Sequence, residues 1–262
     1  MARWVLLRGL GRESSHWFDM KDQLSAVSED VLALDLPGFG TREDEKSPIT
    51  IANTTDRVRE EFLKQKGQEK DWMLLGISLG GMVALDWAAR YPMDFQGVTV
   101  INTSSKDSGP LWQRLTVFGL YKILQSLTKR KNPREKEKAI LEMVSNLKKK
   151  DEALLDKLAS IAEERPANLT NVSRQLVASS NFMAPSSIKI PLLMLASLKD
   201  NMVDSRCTKL LSERLEAQAK YHPEAGHELP LDDPDWVVSQ LVQFTESLNE
   251  EATEPSDSSV EP

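Results

Sequence analysis

Cysteine and histidine are scarce in this chain, with one Cys and three His among 262 residues. A lone thiol, Cys207, forms no internal disulfide, and its absence of partners fits a reducing compartment. Three scattered histidines and one cysteine offer no ligand spacing, so neither a metal nor another cofactor is expected. Long hydrophobic runs are missing too. The N-terminal apolar run Trp4 to Leu7 is far too short for a signal peptide or a membrane span, so a cytoplasmic protein with no membrane partner is expected. Glycine-rich phosphate loops are also lacking, because Gly9-Leu10-Gly11 has no third glycine.

What is present is an ordinary globular balance, 40% apolar and 28% charged, with length enough for one large domain or two small ones. The net charge of −7 is unevenly spread. Residues 250–262 hold five acids and no base and read as a disordered tail. Residues 122–150 hold ten bases against three acids, without aromatics interleaved as a nucleic-acid platform. That stretch, with Lys129, Arg130, Lys131, Arg134 and Lys138, reads as a solvated helix face or a docking patch for an acidic partner.

Short apolar runs at Trp4 to Leu7, Val31 to Leu34, Asp71 to Ile77, Val98 to Asn102, Pro191 to Ala196 and Ala219 to His222 read as strands. Helical patterns alternate with them at Ser15 to Leu24, Ile51 to Lys66, Met82 to Tyr91, Ser205 to Leu215 and Pro234 to Leu248. This alternation predicts an α/β fold with a parallel sheet. It breaks between residues 104 and 185, where only helical faces are found: Leu111, Leu115 and Phe118; Ile140, Val144 and Leu147; Leu154, Leu158 and Ile161. Those helices read as a cap set into a core formed by residues 1–103 and 186–249.

Gly76-Ile77-Ser78-Leu79-Gly80 stands between a strand and a helix. A serine there adopts a strained turn, with glycines on either side to admit neighbouring backbone, and its hydroxyl stands at a helix N-terminus. The simpler alternative is that Ser78 only caps the helix. As a nucleophile it needs a base, and the base needs an acid to hold its tautomer. His227 lies in a loop between the final strand and helix and is the candidate base, whereas His16 beside Trp17 and His222 before Pro223 read as structural. Asp200 follows a strand directly and is the candidate acid; Asp204 has an alternative use in capping the next helix.

With Asp35-Leu36-Pro37-Gly38-Phe39-Gly40, Arg8-Gly9-Leu10-Gly11 and Gly226-His227 added, the chain resembles the α/β-hydrolase superfamily from Trp4 to about Leu248. The resemblance implies a catalytic Ser78, Asp200 and His227, and an oxyanion hole from the backbone N–H groups of Leu10 and Leu79. Two departures stand out. Arg8 occupies the place of the family's usual histidine, and the family's N-terminal hairpin has no counterpart, so about six strands are expected. Within the superfamily the chain is similar to small capped carboxylesterases, among them the methyl ester esterases that act on pimeloyl-acyl carrier protein in biotin synthesis. That similarity implies a small-molecule ester substrate, with an acyl carrier protein as a possible acidic partner. A C–C hydrolase or lyase of the same fold and a non-catalytic binding module are the alternatives. Trp17, Trp112, Phe118, Phe182 and Met183 are candidate pocket residues, although core packing accounts for each equally well.

Overall fold

In the computed structural model the described residues are 1–114 and 132–253. Six strands form one sheet: β1 (Arg3–Leu7), β2 (Asp30–Leu34), β3 (Trp72–Ile77), β4 (Gly97–Ile101), β5 (Leu192–Ser197) and β6 (Gln218–His222). Their order is β2-β1-β3-β4-β5-β6, and every pairing is parallel. The chain leaves β1 toward β2 and then crosses to β3 on the other side, so the strand order reverses between β1 and β3. Crevices at the carboxyl ends of such strands are where α/β sheets bind ligands. Leu7 pairs with Gly76 and Ile77 with Ile101, which brings the loops after these strands to one edge.

Both faces of the sheet are buried, which is why Leu74 and Leu75 are consecutive apolar residues rather than an alternation. On one face Val5, Leu7, Leu74 and Met194 pack against α2 (Ile51–Gln65), α3 (Leu79–Arg90) and, after a later α/β step, α8 (Arg206–Arg214). On the other, Leu6, Leu75 and Leu193 pack against α1 (Phe18–Ala26), α9 (Leu229–Asp232) and α10 (Pro234–Thr253). Four aromatics knit the first face: Phe62 lies 5.5 Å from Trp72, 5.6 Å from Trp87 and 5.3 Å from Phe95, centroid to centroid.

Between β4 and β5 the described residues contain helices only: α4 (Leu111–Arg114), α5 (Pro133–Val144), α6 (Glu152–Glu164) and α7 (Leu169–Asn181). Each of the three longer ones begins at a side-chain cap. Asn132, Asp151 and Asn168 accept hydrogen bonds from the first-turn amides, and Pro133 opens α5. Helix α5 stops at Val144, so Leu147, expected on its face, lies beyond it and is exposed. The stop has a physical cause: Asp232 takes the Ser145 hydroxyl and the Asn146 N–H (2.9 Å) that follow. A single helix from Ser15 is also revised, because Phe18 at φ 40° separates a 3-10 turn (Ser14–Trp17) from α1. Helix α10 continues past Leu248 to Thr253, so the start of the stretch read as an acidic tail is helical. Residues 254–262 of that stretch, and Leu115, Phe118, Lys129, Arg130 and Lys131, lie outside the described residues. Among the described residues no helix is long and apolar enough to cross a membrane.

Phe62 is fully buried and touches all three of its aromatic neighbours. Phe62→Ala is expected to destabilise the fold by about 3–5 kcal/mol through the cavity it leaves, read as a lower urea midpoint at unchanged m.

Candidate active site

Ser78 occupies the turn between β3 and α3 at φ 55° and ψ −116°. Two glycines make that turn possible. A Cβ on Gly76 would stand 2.2 Å from the carbonyl oxygen of Gly80, and one on Gly80 would stand 2.4 Å from that of Leu7. The start of α3 is therefore pressed against the ends of β1 and β3. Strain at Ser78 is held in place from both sides: its N–H donates to the Ile101 carbonyl at 2.8 Å, and its carbonyl accepts from the Thr103 hydroxyl at 2.8 Å.

His227 and Asp200 come together across the sheet edge, with Nδ1 2.7 Å from Oδ2. The other carboxylate oxygen of Asp200 accepts from the N–H groups of Met202 (2.6 Å) and Val203 (3.0 Å), which orients it. Facing a carboxylate, Nδ1 carries a proton, and Nε2 is left for other work. Burial disfavours the imidazolium, but the charge of Asp200, its hydrogen bond and the charge of Glu228 outweigh burial, so the His227 pKa is raised. Ser78 and His227 line the same cavity; among the described residues no hydrogen bond to Ser78 Oγ is formed. The other candidates are occupied elsewhere. Asp204 accepts from the Arg206 N–H at 2.9 Å at the start of α8. His222 accepts from the Ala225 N–H at 2.9 Å and lies 3.1 Å from Asp233.

The cavity measures about 270 Å³ and is lined by Leu10, Met82, Ile140, Met143, Leu176 and Val203 among others. None of the described candidate pocket residues lines it. Trp17 is core beneath the Arg8 guanidinium, 4.7 Å away, and Phe182 packs in the core on the α2 and α3 side. Trp112 and Met183 face solvent, and Phe118 is outside the described residues. Trp17 and Phe182 are taken by the core, and aliphatic residues of the inserted helices line the cavity together with Phe39.

Several residues at the site were not legible as such. Asn102, at φ 46°, donates to the His227 carbonyl at 2.8 Å and accepts from the Ser197 N–H at 2.8 Å, tying the His227 loop to the ends of β4 and β5. An Asn directly after a strand was the available signal. Arg8 Nη2 lies 2.6 Å from Glu228 Oε2 in a pair that is 3% and 8% exposed. Burial raises the Glu228 pKa, but the charges of Arg8, Arg12 and His227 outweigh it and hold the carboxyl below its usual range. His16 also lines the cavity; burial, with Arg12 and Arg8 nearby, pushes its pKa well below normal, so it stays neutral. The N–H groups of Leu10 and Leu79 donate to no partner within the loop and turn network of the described residues.

A model of the Hydrolase_4 (serine aminopeptidase) family matches residues 2–234. A pimeloyl-acyl-carrier-protein methyl ester esterase from Edwardsiella ictaluri is 36% identical over 100 residues, covering 38% of this chain and 36% of that protein. The match thus spans little more than a third of that relative's length. One of the same name from Citrobacter koseri is 25% identical over 227 residues, covering 85% of this chain and 86% of that protein. In three dimensions an esterase from Exiguobacterium antarcticum aligns with a TM-score of 0.76 at 14% identity, covering 94% of this chain and 92% of that one. That likeness bears on the fold.

The geometry sets a titration. The His227 imidazole is expected to lose its proton above the usual value of about 6.5, and Asp200→Asn is expected to lower that pKa. Ring-proton NMR titration of the two proteins reads both, and a His227 pKa below the usual value in the unmodified protein contradicts the arrangement.

Proposed function

We propose, for a chain that belongs to the Hydrolase_4 family of the α/β-hydrolase superfamily, that it is an ester hydrolase with Ser78, His227 and Asp200 as its catalytic triad. The observation that carries this reading is the His227–Asp200 pair opening onto the cavity that holds Ser78 on its strained turn. Ser78 Oγ attacks the ester carbonyl while His227 Nε2 takes its proton, and the tetrahedral oxyanion rests on the N–H groups of Leu10 and Leu79. Collapse expels the alcohol, protonated by His227, and leaves an acyl-enzyme. Water, deprotonated by His227, then attacks the acyl carbon, and the acid departs as Ser78 regains its proton. Asp200 holds the ring and favours the imidazolium that forms in each half. The helices between β4 and β5 act as a cap, and the largely aliphatic cavity of about 270 Å³ suits a modest acyl chain.

A finer reading assigns the substrate to an acyl carrier protein. Its support is the activity for which the two relatives are named and the basic stretch, of which Lys149 and Lys150 are exposed. Arg134 contributes less to such a face than its sequence position implies, being paired with Glu152 (2.5 Å) and Asp156 (2.9 Å). Turnover of a carrier-bound ester is then expected to fall steeply with salt, while that of a free short-chain ester is not.

The triad has direct tests. A fluorophosphonate is expected to label Ser78, and Ser78→Ala to abolish both labelling and p-nitrophenyl ester hydrolysis; an unlabelled but folded wild-type protein favours the binding-module reading. Asp200→Asn is expected to lower kcat by roughly 10,000-fold, since the ring loses its productive tautomer. Because His227 must be neutral to act as base and its pKa is raised, the acid limb of kcat/KM is expected above pH about 6.5.

A further inference from the structure

We propose that the inserted helices hold the oxyanion loop, with Glu137, Arg165 and Gln175 as positioning residues for the Leu10 donor. The inference rests on the assignment of Leu10 to the oxyanion hole. Leu10 lies between two glycines, with Gly11 at φ 66°, in a turn closed by the Arg12 N–H to the Gly9 carbonyl at 3.2 Å. Further attachments come from outside the sheet. Three consecutive residues after Leu10 are each bound to a different inserted helix. The Gly11 N–H donates to Gln175 Oε1 of α7 at 3.0 Å. Arg12 Nη1 donates to Glu137 Oε2 of α5 at 2.7 Å. Glu13 receives Arg165, the residue closing α6, at 2.6 Å from Nη2 and 3.0 Å from Nε.

These are buried attachments: Glu13, Glu137 and Gln175 are 5%, 3% and 3% exposed. Loss of a partner at such acceptors is costly, so each bond transmits position. The direction of Arg12 is fixed further by its second contact, 3.2 Å to His16 Nε2. An arginine nitrogen only donates, so His16 Nε2 accepts.

Helix α5 reaches the base as well. Seven residues beyond Glu137, about 10 Å along the helix, the Val144 carbonyl accepts from the Glu228 N–H at 2.8 Å. Gly226 packs against the same carbonyl, which would stand 2.6 Å from a Cβ at that position. One rigid helix therefore touches the loop of the oxyanion donor at one end and the loop of His227 at the other. The cap's role in catalysis is then to set the separation between these two groups, in addition to covering the cavity.

The test uses Glu137→Gln and, in case loss of one charge of a buried pair unfolds the protein, the near-isosteric Gln175→Leu. Each is expected to lower kcat on the order of 10- to 100-fold, as a displaced donor does. KM should stay within about threefold, as for an interaction made mainly in the transition state. Affinity for a trifluoromethyl ketone, whose serine adduct carries an oxyanion, should fall by the same factor as kcat/KM. An unchanged kcat, a loss confined to KM, or a kcat loss with analogue affinity intact overturns the proposal. Failure of the triad assignment looks different: the wild-type protein then fails to take up a fluorophosphonate at Ser78.

Discussion

The contact on which this molecule depends is the approach of the first turn of α3 to the ends of β1 and β3. Gly76 and Gly80 bring backbone to within distances that no side chain would permit. That closeness forces Ser78 into its positive φ, lifts its side chain off the sheet and aims the free amides of a helix N-terminus at the same edge. It also fixes where the loop after β1 must pass, because the Leu7 and Arg8 carbonyls face Gly80. Strand pairing supplies the other half of the constraint. With Leu7, Gly76 and Ile101 at the ends of their ladders, the loops that follow can only gather along one rim.

Around this rim the electrostatics are organised as buried carboxylates meeting bases. Asp200 faces His227, Glu228 faces Arg8, Glu137 faces Arg12 and Glu13 faces Arg165. A buried ion pair adds little net stability, because desolvation cancels most of the attraction, yet losing one partner is costly. Such pairs suit positioning better than stabilisation. Here they join segments far apart in sequence: β1 to the His227 loop through Arg8 and Glu228, and the loop after β1 to the inserted helices through Arg12 and Glu13. The arginine that departs from the family's usual histidine is therefore part of a structural connection, with Trp17 stacked beneath it.

Much of the α/β core could be read from the chain because its signals are local. Leu74 and Leu75 announce a strand buried on both faces, and the glycines around Ser78 announce a turn whose geometry only they allow. Asp35-Leu36-Pro37-Gly38 likewise marks a tight turn, and Asp35 proves to anchor it by accepting from the Thr41 N–H at 2.8 Å and the Ser14 N–H at 2.6 Å. The cavity lining was not legible in the same way. Trp17 and Phe182 are as apolar as any pocket wall, and nothing in their neighbours says that the core takes them first. Ile140 and Met143 line the cavity because of how α5 is rotated, and that depends on attachments at Glu137 and Val144 to partners distant in sequence.

What the sequence determined by itself was the succession of strands and helices and the strained serine turn; it also singled out His227 and Asp200, which the fold brings within 2.7 Å of each other. Hydrophobic period, glycine placement and helix caps act over a few residues, so their consequences can be read in one dimension. Tertiary structure alone decided which charges pair, where the inserted helices rest and what faces the cavity. Those outcomes depend on groups more than a hundred residues apart, such as Arg12 with Glu137 and Glu13 with Arg165. In a buried site, a charged side chain takes its role from the partner the fold delivers to it, and that partner is not encoded nearby.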